Sequence, residues 1–122
     1  IASHAPTFLM PAAELALSDD ESRLEMQNSF ANRRDVIREE LSTIPEIDFW
    51  EPEGAFYVMI DIRRTGMNSI EFAEQALSEA KVQLIPCSLM PHGEGRCRIS
   101  YATNIENIKE GCHRLRNWLS EP

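Results

Sequence analysis

The sequence has few positive charges and no long apolar run. Its 122 residues include 12 Lys and Arg against 20 Asp and Glu, a formal net charge of −8. Nucleic acid and anionic membranes are polyanions that bind basic faces, so neither is predicted as a partner. No apolar stretch approaches the roughly 18 residues of a membrane-spanning helix. Together with 43% hydrophobic residues, these shortages predict a single cytoplasmic domain with one core.

Cysteine is also scarce. The three cysteines, Cys87, Cys97 and Cys112, are widely spaced and form no Cys-x-x-Cys pair. A secreted disulfide framework is therefore not expected, and we interpret all three as thiols. A zinc site that combines them with His92 or His113 would match no recognised ligand spacing, so no metal site is predicted.

The most informative stretch is residues 93–102, Gly-Glu-Gly-Arg-Cys-Arg-Ile-Ser-Tyr-Ala, which runs from a glycine turn into a predicted strand. Strand alternation places Arg96, Arg98 and Ser100 on one side. A guanidinium on a rigid strand offers a planar fork of donors that matches a carboxylate. Arg98 is therefore a candidate carboxylate ligand, and the alternative is that this side is an ordinary solvated strand face.

Four helices are predicted around the strands. The first covers residues 11–17, and the second begins at a capping box at Ser18 and continues until Pro45 stops it. The third opens at Asn68 and the fourth at Thr103, each followed by Glu three residues later. The apolar stripes of the last three helices are expected to be core. Their members are Met26, Phe30, Ile37, Leu41, Phe72, Ala73, Ala76, Leu77, Ala80, Ile105, Ile108, Cys112, Leu115 and Leu119.

Three strands are predicted, at residues 54–62, 82–86 and 96–102, where β-branched and aromatic residues follow glycine or proline. In the first of them, Phe56, Val58 and Ile60 are expected to form a uniformly apolar side. The order α, α, β, α, β, β, α predicts an α+β fold, in which helices cover one face of a small three-stranded sheet. The opposite face is left for another partner.

Four motifs in this order resemble the C-terminal part of class I/II (fold type I) pyridoxal-phosphate-dependent aminotransferases, above all the aspartate-aminotransferase-like branch. They are residues 52–57 (Pro-Glu-Gly-Ala-Phe-Tyr), a helix that ends in Glu-Ala at residues 79–80, the run from residue 82 to 88 with Pro and Ser, and residues 93–102. The resemblance implies a mostly antiparallel small-domain sheet. It also implies that residues 1–17 join a missing large domain and that residues 18–122 form the C-terminal small domain.

The resemblance also implies roles for individual residues. The parent enzyme would transfer an amino group between an amino acid and a 2-oxo acid, as a homodimer. Arg98 matches the arginine that binds the substrate α-carboxylate. Gly54 and Phe56 match the segment that approaches the substrate when the small domain closes over it. Tyr57 is expected to pack and not to touch the ligand.

The chain has only two lysines, Lys81 and Lys109. In the family that it resembles, a lysine holds the pyridoxal phosphate and moves a proton during the reaction. Neither lysine follows a serine, as the family's cofactor lysine does. We therefore expect a fragment, inactive alone, with no catalytic or cofactor-binding residue. Its cofactor would be bound mainly by a large domain upstream of Ile1, and the abrupt apolar start agrees with this.

The substrate is not defined by these residues. Aspartate, alanine, aromatic amino acids and kynurenine stay open, as does a related pyridoxal-phosphate lyase or synthase. The rival hypothesis is a free-standing α+β module that binds an amino acid or another small carboxylate through Arg98 and needs no cofactor lysine. A purely structural interaction domain is a third alternative.

Overall fold

A computed structural model describes residues 6–120, which fold into four α-helices and one four-stranded sheet. The helices are α1 (Met10–Ser18), α2 (Asp20–Leu41), α3 (Ser69–Ser78) and α4 (Ile105–Ser120). The strands are β1 (Asp48–Phe49), β2 (Tyr57–Asp61), β3 (Ile85–Pro86) and β4 (Arg96–Ser100). Single 3₁₀ turns lie at Thr7–Leu9 and Arg63–Thr65. The predicted α+β class is confirmed, and none of the described helices is both long and apolar enough to cross a membrane.

The sheet has the order β1-β2-β4-β3, and all neighbouring strands are antiparallel. The prediction of three strands missed β1, which pairs Asp48 with Asp61 and Phe49 with Ile60. A strand of two residues has no alternating pattern by which it could be recognised. The edge strand β3 is also shorter than predicted, and Pro86 contributes no backbone N–H to it.

One face of the sheet forms the core together with the helices. Val58 and Ile60 of β2 and Cys97 and Ile99 of β4 lie on this face, and all four are buried. The helical residues of the same cluster include Ile37, Leu41, Phe72, Ala73, Ala76, Ile108, Cys112 and Leu115. Burial of this apolar surface is the main favourable term in folding, at about 25 cal/mol per Å².

The start of α2 lies one residue later than the predicted capping box. Asp19 is the N-cap, because its Oδ1 accepts a hydrogen bond of 3.0 Å from the backbone N–H of Ser22. The hydroxyl of Ser18 instead donates to a carbonyl of α1. The helix ends at Leu41, so turns and not helix lead to Pro45.

The start of α3 agrees with the prediction and that of α4 does not. Asn68 caps α3 and accepts a hydrogen bond of 2.9 Å from the backbone N–H of Glu71. At α4 the side chain of Asn104, not Thr103, accepts from the backbone N–H of Asn107, at 2.8 Å. Asn and Thr both cap helices, and adjacent capping residues make the boundary ambiguous in sequence.

The chain from residue 6 to residue 26 lies outside the core. Helix α1 contains no buried residue, and Met26 of α2 is 62% exposed. The prediction that the α2 stripe is core is therefore wrong for its first turns, although Ile37 and Leu41 are buried. Leu77 of α3 is also exposed. Helical spacing identifies an apolar stripe, but it does not identify which part of the protein covers that stripe.

Candidate functional site

The face of the sheet opposite the helices carries the candidate residue Arg98. Along β4, burial alternates as predicted: Arg96 and Arg98 are half-buried, whereas Cys97 and Ile99 are buried. We call the surface formed by Trp50, Tyr57, Met59, Arg96 and Arg98 the open face. It is the side of the sheet that the helices do not cover.

The guanidinium of Arg98 lies over the ring of Tyr57, with 4.8 Å between the guanidinium carbon and the ring centroid. Arg98 pairs with Met59 across the strands, so Tyr57 is its diagonal neighbour on the same face. A cation over an aromatic ring is held without use of its N–H groups. Within residues 6–120, no carboxylate lies within ion-pair distance of Arg98 and its guanidinium donates no hydrogen bond.

Neighbouring arginines are engaged within the chain. Arg96 stacks over the indole of Trp50 at 4.9 Å and donates to the carbonyl of His92. Arg63 folds over Asp61, and its Nε lies 2.9 Å and 3.0 Å from the two carboxylate oxygens. This hydrogen bonding from Arg63 lowers the pKa of Asp61. Arg96 Nε is buried without an acceptor, but another nitrogen of the same guanidinium is hydrogen-bonded, whereas the guanidinium of Arg98 donates no hydrogen bond within residues 6–120.

Phe56 contacts the same tyrosine as Arg98. The rings of Phe56 and Tyr57 meet edge to face, with centroids 5.5 Å apart and an interplanar angle of 87°. Arg98, Tyr57 and Phe56 therefore form one continuous row. The predicted apolar side of Phe56, Val58 and Ile60 is buried at Val58 and Ile60 but not at Phe56, which is 49% exposed. The cause is local: Phe56 precedes β2 and is part of the bend at residues 54–56.

Gly54, the other predicted site residue, lies in that bend. It is exposed, and its carbonyl accepts a hydrogen bond of 3.1 Å from the hydroxyl of Tyr101. A Cβ at this position would meet no atom within 4 Å, so space inside the chain does not require glycine there. Because Gly54 is exposed and has no side chain, a ligand or another domain could come close to its backbone.

The three cysteines are buried and free. Burial raises the pKa of Cys97 and Cys112 to about 12. Burial also raises the pKa of Cys87, although the positive charges of Arg98 and Arg96 act in the opposite direction. Each therefore stays a neutral thiol near pH 7. No cluster of three or more His, Cys, Asp or Glu side chains within residues 6–120 could hold a metal ion.

Sequence reasoning missed two contacts of this site. The stacking of Arg98 on Tyr57 depends on the register of β2 against β4, and the two residues lie on different strands of the sheet. The reach of the Tyr101 hydroxyl back to residue 54 was also missed. Alternation within each strand did place Tyr57 and Arg98 on the polar sides of their strands, and that was the available signal.

The described residues thus define an α+β domain whose uncovered sheet face carries Arg98, stacked on Tyr57. The family model for class I and II aminotransferases matches residues 1–115 of this chain. The chain belongs to this family, whose members depend on pyridoxal phosphate.

Relatives and solved structures agree with this assignment. The chain is 38% identical to aromatic-amino-acid aminotransferase 2 of Thermococcus litoralis, over 94% of the chain and 30% of the relative. It is 37% identical to an aspartate aminotransferase of Pyrococcus horikoshii, over 98% of the chain and 32% of the relative. The crystal structure of an aromatic aminotransferase from Pyrococcus horikoshii superposes with a TM-score of 0.85, at 38% identity, over 93% of the chain and 31% of that structure. The chain thus spans about a third of the length of these proteins.

Both lysines of the chain lie within the described residues. Lys81 follows α3 and its Nζ donates to the carbonyl of Ser78, at 2.6 Å. Lys109 lies on the exposed side of α4.

Proposed function

We propose that this chain is the C-terminal small domain of a pyridoxal-phosphate-dependent aminotransferase, which transfers an amino group between an amino acid and a 2-oxo acid. In this proposal Arg98 binds the α-carboxylate of the substrate. The observation that carries the proposal is the guanidinium of Arg98, braced by Tyr57 and free of any acceptor within residues 6–120. Family membership supports the reaction type.

The contribution of Arg98 to the reaction is orientation and closure. A guanidinium fork that donates hydrogen bonds to both carboxylate oxygens fixes the direction of the bound amino acid as well as its position. Because the ring of Tyr57 lies beneath the fork, the guanidinium is held in place before the substrate arrives. The contact between Arg98 and the carboxylate also favours the closed position of the domain, in which Gly54 and Phe56 approach the substrate and water is excluded.

The remaining parts of the site belong to the rest of the enzyme in this proposal. Residues 1–17 join residues 18–122 to a large domain, which provides most of the contacts to pyridoxal phosphate and the lysine that binds it. The hydrogen bond from Lys81 to the carbonyl of Ser78 and the exposed position of Lys109 on α4 support this division, and the chain alone is therefore expected to be inactive. We also propose that the parent is a cytoplasmic homodimer, and the free thiols agree with a reducing compartment.

The parent enzyme can be tested directly with the native protein that carries the peptide of residues 53–57. Borohydride reduction fixes pyridoxal phosphate on its lysine, and digestion with mass spectrometry then locates the modified residue. A pyridoxyl-lysine in the same polypeptide, outside residues 1–122, is the expected result. A native protein without any modified lysine would contradict the proposal and favour a small-carboxylate binding module.

A further inference from the structure

We propose that the hydroxyl of Tyr101 is a positioning group, which ties the loop of residues 54–56 to the strand that carries Arg98. The inference rests on the proposed function, because it concerns the placement of two segments that contact substrate in that proposal. Tyr101 itself is buried, with 1% of its surface exposed, so it does not touch the ligand. Its action is on the backbone of the loop.

The hydroxyl lies between two consecutive carbonyls of the loop. Its oxygen is 3.1 Å from the carbonyl oxygen of Gly54 and 3.0 Å from that of Ala55. A hydroxyl has one hydrogen, which it shares here between the two acceptors. Burial raises the pKa of Tyr101, so the hydroxyl keeps this hydrogen over the physiological range. The backbone of the same residue also donates to the carbonyl of Phe56, at 2.9 Å.

The loop that is held in this way has a strained backbone. Ala55 has φ of 63°, in the left-handed region that a residue with a Cβ seldom occupies. Such a conformation persists only where surrounding contacts determine it. The two hydrogen bonds from Tyr101 are contacts of this kind, because they fix the carbonyls immediately before and after the φ rotation of Ala55.

The tie sets the distance between two parts of the candidate site. Tyr101 directly follows β4, three residues after Arg98, and Phe56 directly follows Ala55. A phenylalanine at position 101 could fill the same space in the core, next to Phe30. The additional hydroxyl has no packing role. The hydrogen bonds of the hydroxyl instead fix the backbone path of residues 54–56 beside β4.

The test uses the full-length enzyme and the variant Tyr101→Phe, which removes only the oxygen. Loss of a buried hydrogen bond to two carbonyls is expected to raise KM for the amino acid about tenfold, with a smaller fall in kcat. The matched control is Ile108→Val in α4, which shortens another buried side chain and keeps the hydroxyl of Tyr101. It also lowers stability but is expected to leave KM unchanged, because loss of folded enzyme lowers the apparent kcat and not KM.

A second variant tests whether the hydroxyl acts through the backbone conformation of Ala55. Glycine adopts φ near 63° without strain. Ala55→Gly in the Tyr101→Phe background is therefore expected to lower KM most of the way back to the wild-type value. A KM for Tyr101→Phe within twofold of wild type, or a double variant no better than the single one, would overturn the inference.

Hydrogen exchange separates this inference from the proposed function. If the full-length wild type lacks aminotransferase activity, the proposed function fails, and the tie is still measurable in the same protein. Amide exchange in the peptide of residues 53–57 is expected to accelerate in Tyr101→Phe, and not in Ile108→Val, relative to the rest of the chain. Equal exchange of this peptide in wild type and Tyr101→Phe would contradict the tie itself.

Discussion

The two faces of the sheet differ in whether their side chains find partners within the chain. On the helical face, Val58, Ile60, Cys97 and Ile99 are buried against the core. On the open face, Arg98 stacks on Tyr57 and finds no acceptor within residues 6–120. The helical face accounts for the stability of the domain. The open face carries an arginine that has no carboxylate partner within residues 6–120.

Two charged residues of the central strands can be compared in the same way. Asp61 and Arg98 lie on strands β2 and β4, and both are charged groups next to an apolar core. Asp61 forms an ion pair with Arg63 within the chain, whereas Arg98 stacks on Tyr57 and forms no ion pair within residues 6–120. A charge that is paired internally stabilises the fold, and a preorganised charge without a pair is available for binding.

The largest effect is expected on the helical face. Phe72 is fully buried in α3, and its ring centroid lies 5.2 Å from that of Trp118. Phe72→Ala leaves a cavity and is expected to lower the free energy of unfolding by about 4 kcal/mol. Denaturant unfolding of the chain measures this. Ile70→Ala in the same helix, where Ile70 is 49% exposed, is the control and should change stability by less than about 1 kcal/mol.

The second effect concerns activity and not stability. Arg98→Lys keeps the charge but loses the planar fork, so in the full-length enzyme KM should rise and kcat should fall. The combined loss in kcat/KM is expected to be about 50-fold, or about 2.3 kcal/mol, from steady-state kinetics.

Arg96→Lys is the matched control, since Arg96 lies on the same strand and the same face but is engaged with Trp50 and His92. A change in kcat/KM of less than about threefold is expected for it. Equal losses in the two variants would show that general charge on this face matters, and not the fork of Arg98.

The third effect depends on pH. The ordinary pKa of Asp61 is 3.8, and the hydrogen bonds from Arg63 lower it in the folded state. The unfolded state therefore binds the proton more readily, and the stabilisation is complete above about pH 5 and is lost as the pH falls below 4. Asp61→Asn should cost about 1 kcal/mol of unfolding free energy at pH 7 and much less at pH 3.

Asp48→Asn is the control for this pH series. Asp48 also forms an ion pair, with Arg64 at 2.8 Å, but both side chains are more than half exposed. Its cost is expected to be near zero at both pH values, because exposed ion pairs contribute little. If Asp48→Asn and Asp61→Asn gave the same pH profile, the internal pairing of Asp61 would not be the cause.

The smallest effect is expected near the N-terminus. Met26 is 62% exposed although it lies in an apolar stripe of α2. Met26→Ser should change the unfolding free energy of the 122-residue chain by less than about 0.5 kcal/mol. If a large domain covers this surface in the parent, the same substitution should lower the stability of the full-length protein by about 1 to 2 kcal/mol. Equal small effects in both proteins would argue against such a cover.

The sequence predicted the α+β class, the alternation of β4 and the cap at Asn68, because each depends on local spacing. It missed β1, whose two residues are strand only through pairing with Ile60 and Asp61. It also misjudged Phe56, where the bend at Ala55 turns the side chain out of the core pattern. Contacts that depend on strand register, such as Arg98 on Tyr57, need the three-dimensional structure.

The central claim is that the fork of Arg98 is the carboxylate ligand of the open face. A crystal structure of the full-length protein with a bound amino acid or 2-oxo acid tests it most directly. The account predicts two carboxylate oxygens within about 3 Å of guanidinium nitrogens of Arg98, with Tyr57 still stacked beneath. A substrate carboxylate bound by other residues, with Arg98 facing solvent or paired to a protein carboxylate, would contradict it.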